Sequence, residues 1–421
     1  VQMKKTTFWI STIGICLLIA AWSLVVWVGG CGSTQQEEVT TTTSTTTTTS
    51  TTLLHIKTWG TAEQIGAFSN FATNPQIALS NNGDALAVWE VGNTPRDIFA
   101  NHYKAGVGWG TAVIIQPDSG NTAMLPQVAI ASSGNGIAVW SQYLNTGFSH
   151  CMANRYSAGS GWGTGVSIES VDGNTAYPQI VMSAAGDAIA VWPKDGVWLN
   201  TYTASSGWGT ASSLEASSGA IEPQIARDGS GNAIIVWQKY DGIKYSIAAH
   251  HFSPGSGWGV PVSLMNDTGS VYANARVAMD QDGNAIAAWN AYSGSTVRIW
   301  ASRYSGGSWG TATIIDEDPS NNAYYPQVVI NTSGEALVVW QQAIDVRSKK
   351  YLPASGWGVL EIVGLGGQPS IGIDGAGKVI AVWQEASEIW NKIYTFGSGW
   401  GGLNRVSDGS LSANNPPRVA V

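Results

Sequence analysis

Residues 75–89 read PQIALSNNGDALAVW, and this stretch, together with six imperfect copies of it, decides the fold. Pro-Gln followed by alternating apolar residues makes one short strand, and Ala-Leu-Ala-Val-Trp makes a second. Ser-Asn-Asn-Gly between them supplies a tight turn. The opening recurs at Pro126-Gln127, Pro178-Gln179, Pro223-Gln224 and Pro326-Gln327, and in altered form at Ala275-Arg276 and Pro369-Ser370. The close recurs at Trp140, Trp192, Trp237, Trp289, Trp340 and Trp383. Seven residues separate the Gln position from the turn glycine, and six separate that glycine from the tryptophan, in all seven copies.

Two more blocks follow each copy. One ends in an aromatic residue, at Tyr103, Tyr156, Tyr202, Phe252, Tyr304, Tyr351 and Tyr394. The other is Gly-Trp-Gly-Thr or a variant, with Trp59, Trp109, Trp162, Trp208, Trp258, Trp309, Trp357 and Trp400. Each unit therefore reads as four strands, a to d, with rigid a–b and c–d connections. Four short antiparallel strands recurring about every fifty residues are the pattern of propeller blades. One such sheet cannot cover both its faces, so neighbouring blades must stack. A β-sandwich array would need longer units and a parallel β-helix shorter ones. The predicted class is all-β, a β-propeller over residues 55–421 with seven complete blades and a partial eighth. An unpaired strand d (residues 57–65) and an unpaired strand a (417–421) supply that eighth position, whose strands b and c are missing from the repeat. Ending in mid-repeat, the chain is expected to continue in the natural protein.

Composition agrees: 51 Gly, 21 Trp and only 11% charged residues suit short strands and turns and disfavour helices. The net charge of −8 disfavours nucleic acid as a partner. Of the tryptophans, fifteen of 21 occupy the two framework slots, so they read as packing rather than as sugar platforms. Cys151 falls in the slot held elsewhere by Ile98, Val197, Ile247, Ile299, Val346 and Ile389, and reads as a small buried apolar residue.

Ahead of the repeats, Lys4-Lys5 is followed by an uncharged, apolar run from Thr6 to Gly30, the layout of an export signal. It ends Val28-Gly29-Gly30-Cys31, which resembles the bacterial lipobox. That resemblance implies a signal peptide over 1–31, lipid on Cys31, and a bacterial cell-envelope location with the head outside the cytoplasm. The other reading is an uncleaved membrane anchor, since about 20 apolar residues span a bilayer. Met3 is the expected start. Residues 40–52 are eleven Thr and two Ser, so 32–54 is predicted to be a disordered linker.

The repeat itself resembles secreted Asp-box and kelch-like propellers. Asp228-Gly-Ser-Gly231 and Asp280-Gln-Asp282-Gly283 echo the Asp-box turn, but tryptophan follows the glycine at six residues and not at three. The resemblance supports the fold and no particular activity. Asp280 to Asn284 also has alternate carboxylates, as calcium loops do, but lacks the later acidic ligand. His250-His251 looks like a metal pair, yet strand neighbours face opposite ways. No metal and no cofactor is predicted.

Function is expected where the repeat varies. The a–b and c–d turns keep their length, so variation falls in the b–c and d–a connections, which emerge together on one face. These loops carry Tyr143, Tyr177, Tyr240, Tyr272, Tyr292, Tyr324 and Tyr325, with Asp172, Asp267 and Asp316. Rings that stack and polar groups that orient suit a glycan or a protein ligand. The expected function is therefore non-enzymatic binding by a membrane-tethered surface protein. The alternative is a glycan-acting enzyme, glycosidase- or sialidase-like, with carboxylates meeting at the central channel mouth. The chain has no Phe/Tyr-Arg-Ile-Pro, His-Glu-x-x-His or Cys-x-x-Cys motif.

Overall fold

The computed structural model of the chain describes residues 14–20, 25–31, 62–66, 72–144, 147–215, 219–240, 242–243, 245–265, 274–407 and 416–421. Of 14–31 only the backbone is described, and the linker 32–54 lies outside these residues. Seven blades follow the predicted order. In blade 1, strand a is Ala72–Leu79, b is Ala85–Val91 and c is Asp97–Lys104. Strand d is not the single strand expected. It is two short pieces, Gly108–Trp109 and Val113–Ile114, both pairing strand c. Between them the Gly110 N–H turns back to the His102 carbonyl at 2.8 Å, which interrupts the ladder. Blade 6 alone keeps a continuous strand d, Gly356–Leu365.

Strand a is the innermost strand, and one of its edges faces the channel. Proline removes a ladder donor and is tolerated on edge strands, which is why the repeat can begin each strand a with Pro-Gln. The seven strands a contact one another in sequence around the axis. Arg418–Ala420 sits between strand a of blade 7 (Gly367–Ile373) and that of blade 1. The ring therefore has eight inner positions.

The eighth sheet corrects one expectation. Arg418–Ala420 and Ala62–Gln64 do belong to one sheet, but its two middle strands are present. They are Gly14–Ala20 and Val25–Cys31, paired antiparallel, with the first against Arg418–Ala420 and the second against Ala62–Gln64. These are the residues assigned above to the export signal. Cleavage before Cys31 would remove both strands up to Gly30.

Packing explains the conspicuous residues. All seven Val-Trp tryptophans are wholly buried. Trp140 of blade 2, for example, packs on Val88, Ile98 and Ala100 of blade 1. The Gly-Trp tryptophans are half-buried against the strand c aromatics, with ring centroids 5.1–5.4 Å apart. A second device went unread in the sequence. Asn101, Asn154 and Asn200 on strand c each donate to two carbonyls. One is the second glycine of their own Gly-Trp-Gly; the other is Ile65, Ile115 or Ile168 at the end of the preceding blade. These amides staple one blade to the next.

One propeller face is uniform, as expected. In all seven a–b turns the first turn residue donates its N–H to the carbonyl four residues on, from Ser80 to Asp84 through Asp374 to Lys378, at 2.7–3.0 Å. Asp84, Asn135 and Asp187 then accept the N–H of Ala105, Ala158 and Ala204, tying each a–b turn to the c–d turn beside it.

Candidate functional site

On the opposite face, strand a begins and strand b ends. The residue before the strand-a proline takes a left-handed backbone in six blades: Asn74, Leu125, Tyr177, Glu222, Tyr325 and Gln368, with φ of 47–58°. In blades 1, 2, 4, 6 and 7 the ladder register shifts at this point, so the residue stands in a bulge. Left-handed non-glycine residues carry strain, and here the strain recurs at one structural slot while the side chain changes from copy to copy. The outcome is a ring around the channel mouth with fixed geometry and varied chemistry. Tyr177 and Tyr325 belong to it and are exposed, at 43% and 41%.

A second, outer slot lies three residues after the Val-Trp tryptophan. It holds Tyr143, Tyr240 and Tyr292. Tyr143 is exposed, while the other two are half-buried at the end of strand b. Tyr240 stacks near Tyr245 at 4.6 Å and donates its hydroxyl to the Gly242 carbonyl at 3.0 Å. Five of the tyrosines singled out in the sequence thus fall in two slots of one face, with Tyr324 beside the inner one. Tyr272 and Asp267 lie outside the described residues.

Blades 6 and 7 border a shallow, open depression of about 550 Å³ on this face. Gln341, Gln368 and Gln384 bring polar amides to it, and Ile344 and Leu365 bring apolar surface. The Gln368 N–H donates to Gln341 Oε1 at 3.2 Å, and Gln384 Nε2 to the Ala386 carbonyl at 2.8 Å. Tyr324 pairs across the sheet with Gln341, and its ring lies 6.2 Å from that of Tyr325. The hollow thus combines amides and the Glu385 carboxylate with an apolar edge at Ile344 and Leu365, and Tyr324 is cross-strand neighbour to one of its residues, a combination that offers a sugar an apolar face together with donors and acceptors. Aligning the pre-proline slot across copies would have pointed to Glu222 and Gln368, since it varies from copy to copy beside a constant Pro-Gln. Gln341 and Gln384 carried no such signal.

The acidic candidates separate. Asp172 is exposed, with an oxygen 3.9 Å from His150 Nε2. Asp316 is a correction: it is 3% exposed and holds the fold. It accepts from Arg298 Nε at 2.7 Å and from the Ile299 N–H at 2.6 Å, leaving little for a ligand. Two further carboxylates are likewise internal. Glu90 receives Asn74, Thr73, Arg96 and the Leu125 N–H. Glu169 pairs with the buried Lys194 at 2.9 Å and accepts the Cys151 N–H at 2.7 Å. Within the inner ring, Glu222 is the one described carboxyl; burial raises it, and the Arg276 charge opposes that rise.

Other sequence candidates resolve as framework. His250 bonds the Gly259 carbonyl at 2.8 Å, whereas His251 stacks on Tyr304 at 5.0 Å, so the pair faces different partners. Asp280 accepts N–H groups of Asp282 and Asn284 within its own turn. Cys151 is wholly buried, and burial pushes its thiol well up.

No family model and no curated protein matches the chain. Solved structures do. A polysaccharide lyase, the PL25 ulvan lyase, is 11% identical, with 83% of this chain and 95% of that chain covered and a TM-score of 0.52. The Aleuria aurantia lectin is 13% identical over 68% and 97%, at 0.41. A Hadza microbial sialidase is 12% identical over 64% of this chain and 63% of its own, at 0.40. At these identities the likeness is one of fold alone.

Proposed function

We propose that the chain is a tethered, non-enzymatic surface protein that binds glycans through the variable propeller face. The principal site on this reading is the depression between blades 6 and 7. What supports it is the meeting of the amides of Gln341, Gln368 and Gln384 with the apolar Ile344 and Leu365 around one hollow, with Tyr324 paired across the sheet to Gln341. A sugar ring presents an apolar face to stack and hydroxyls that both donate and accept, and this lining offers both. The full chain screened on a glycan array and a protein array tests the proposal. Binding to a defined set of glycans is the expected result. Binding to proteins only, or to neither, overturns it.

The tether is part of the same proposal: cleavage before Cys31 takes the two middle strands of the eighth sheet with it, Cys31 carries lipid, and the Thr-rich segment lifts the seven-bladed head from the membrane. Its test is metabolic labelling with palmitate in a bacterial host. Label lost in Cys31→Ser is expected; an unlabelled chain of full mass refutes it.

A second reading, a glycan-acting enzyme, draws on one observation. Glu222 is a carboxyl raised by burial, in the ring slot next to that of Tyr177. Turnover of any glycan bound on the array, abolished by Glu222→Gln, would favour this reading over pure binding.

A further inference from the structure

The register that defines the repeat also defines a level inside the channel. The residue after the strand-a proline is Gln76, Gln127, Gln179, Gln224 and Gln327 in five blades and Ser370 in blade 7. In blade 5 it is Arg276, and in the closing strand it is Arg418. Except for the buried Ser370, all are half-exposed although they sit on the innermost strands. The five glutamine amides make no hydrogen bond to any described residue. Being neither sealed nor paired, they are solvated from the channel, so this level is wet.

The two arginines share it. Arg276 Nη1 donates to the carbonyl of the preceding residue, Ala275, at 2.9 Å, and Arg418 Nη1 does the same to Pro417 at 3.2 Å. A guanidinium has five N–H donors. The remaining donors of both have no partner among the described residues, and neither forms one of the ion pairs found there. Burial, and after it the charge of Arg276, holds Arg418 down to about 10. Arg276 is lowered by burial too, with Glu222 working the other way. Two cations thus lie within range of each other's charge without an ion pair among the described residues, and only Arg276 has an opposing charge, Glu222, acting on it. An anion between them would offset their repulsion and take up forked donors that suit a carboxylate or a sulfate.

We propose that the channel, at the level of Arg276 and Arg418, binds an anionic group, a carboxylate or a sulfate, in a ring otherwise lined by glutamine amides. The anion site rests on the ring itself. Its assignment to an acidic sugar, whose charged substituent enters the channel, rests on the glycan reading above.

The test uses the full chain and calorimetric titration with glucuronate, N-acetylneuraminate and inorganic sulfate, with glucose as the uncharged control. R276Q and R418Q install the residue that five blades already carry, so the fold is kept, and an unchanged melting temperature verifies this. The expected result is saturable binding of at least one anion, weakened about tenfold by each substitution and abolished by both, and none for glucose. The choice between carboxylates and sulfate names the group. No saturable binding of any of the three anions, or equal binding by the double variant, overturns the site. If the small anions need the arginines but acidic array glycans still bind the double variant undiminished, the acidic-sugar assignment fails while the channel site and the glycan reading both stand. If small anions bind through the arginines and no glycan does, the channel site stands and the acidic-sugar assignment fails.

Discussion

Asn101 offers a quantitative test of how the blades are joined. Its side chain is 2% exposed and fully engaged. Nδ2 donates to the Ile65 carbonyl at 2.9 Å and to the Gly110 carbonyl at 3.0 Å, while Oδ1 accepts the His102 N–H at 2.8 Å. Of the three bonds, the one to Ile65 crosses from blade 1 to the segment that follows the outer strand of the eighth sheet. At a net ~1 kcal/mol for each bond, Asn101→Ala is expected to cost about 3 kcal/mol. Ser302 fills the equivalent slot of blade 5 and keeps the bond to its own Gly310 carbonyl at 2.8 Å. Asn101→Ser should therefore retain the Gly110 bond, lose the inter-blade one, and cost about 2 kcal/mol. Urea unfolding followed by tryptophan fluorescence, with midpoint and slope fitted for each variant, measures both. Hydrogen exchange at residues 62–66 should rise in both variants. A loss under about 0.5 kcal/mol for the alanine variant, or a serine variant as damaged as it, would refute the staple.

Asp316→Ala strands the nearly buried Arg298 guanidinium and is expected to cost about 3–5 kcal/mol, whereas Asp172→Ala stays within about 0.5 kcal/mol; urea midpoints decide. Cys151 should resist thiol reagents at neutral pH in the folded protein and react only in denaturant, because burial raises the thiol and closes access to it. Burial, with Glu361 and Glu335 adding, pushes Tyr394 up to about 12. In the unfolded chain the phenol ionises near ~10, so its contribution to stability is intact below that pH and lost as pH rises towards the folded value. Melting temperatures measured across that window should fall, and Tyr394→Phe should flatten the fall.

The blade pattern was legible because its spacing is invariant. A turn glycine fixed between Gln and Trp leaves one strand–turn–strand reading, and the seven buried tryptophans follow from it. What escaped was chemistry that depends on three-dimensional neighbours. Asn101 looks like any polar strand residue until the ring brings Ile65 beside it. Asp316 was placed with the ligand groups because it lies in a variable loop, yet Arg298 and the Ile299 N–H meet it there. The middle strands of the eighth sheet were unreadable for another reason: residues 14–31 do not share the repeat's spacing, and their apolar run already had an export reading. Tyr177 and Tyr325 were picked for their loops, but their common slot appears only once the left-handed bulges are aligned.

The proposal that the variable face binds glycan is tested at Tyr325. Tyr325→Asn places in the left-handed slot the residue that blade 1 carries there, Asn74, so the backbone is preserved and the ring is lost. Val107→Ser alters an exposed residue near the c–d turn on the uniform face and serves as the control. The deciding measurement is the dissociation constant of an array-selected glycan for the full chain and for these two variants. A weakening of about tenfold or more for Tyr325→Asn, with Val107→Ser unchanged, is the expected result. Equal affinities for the full chain and Tyr325→Asn would contradict the site.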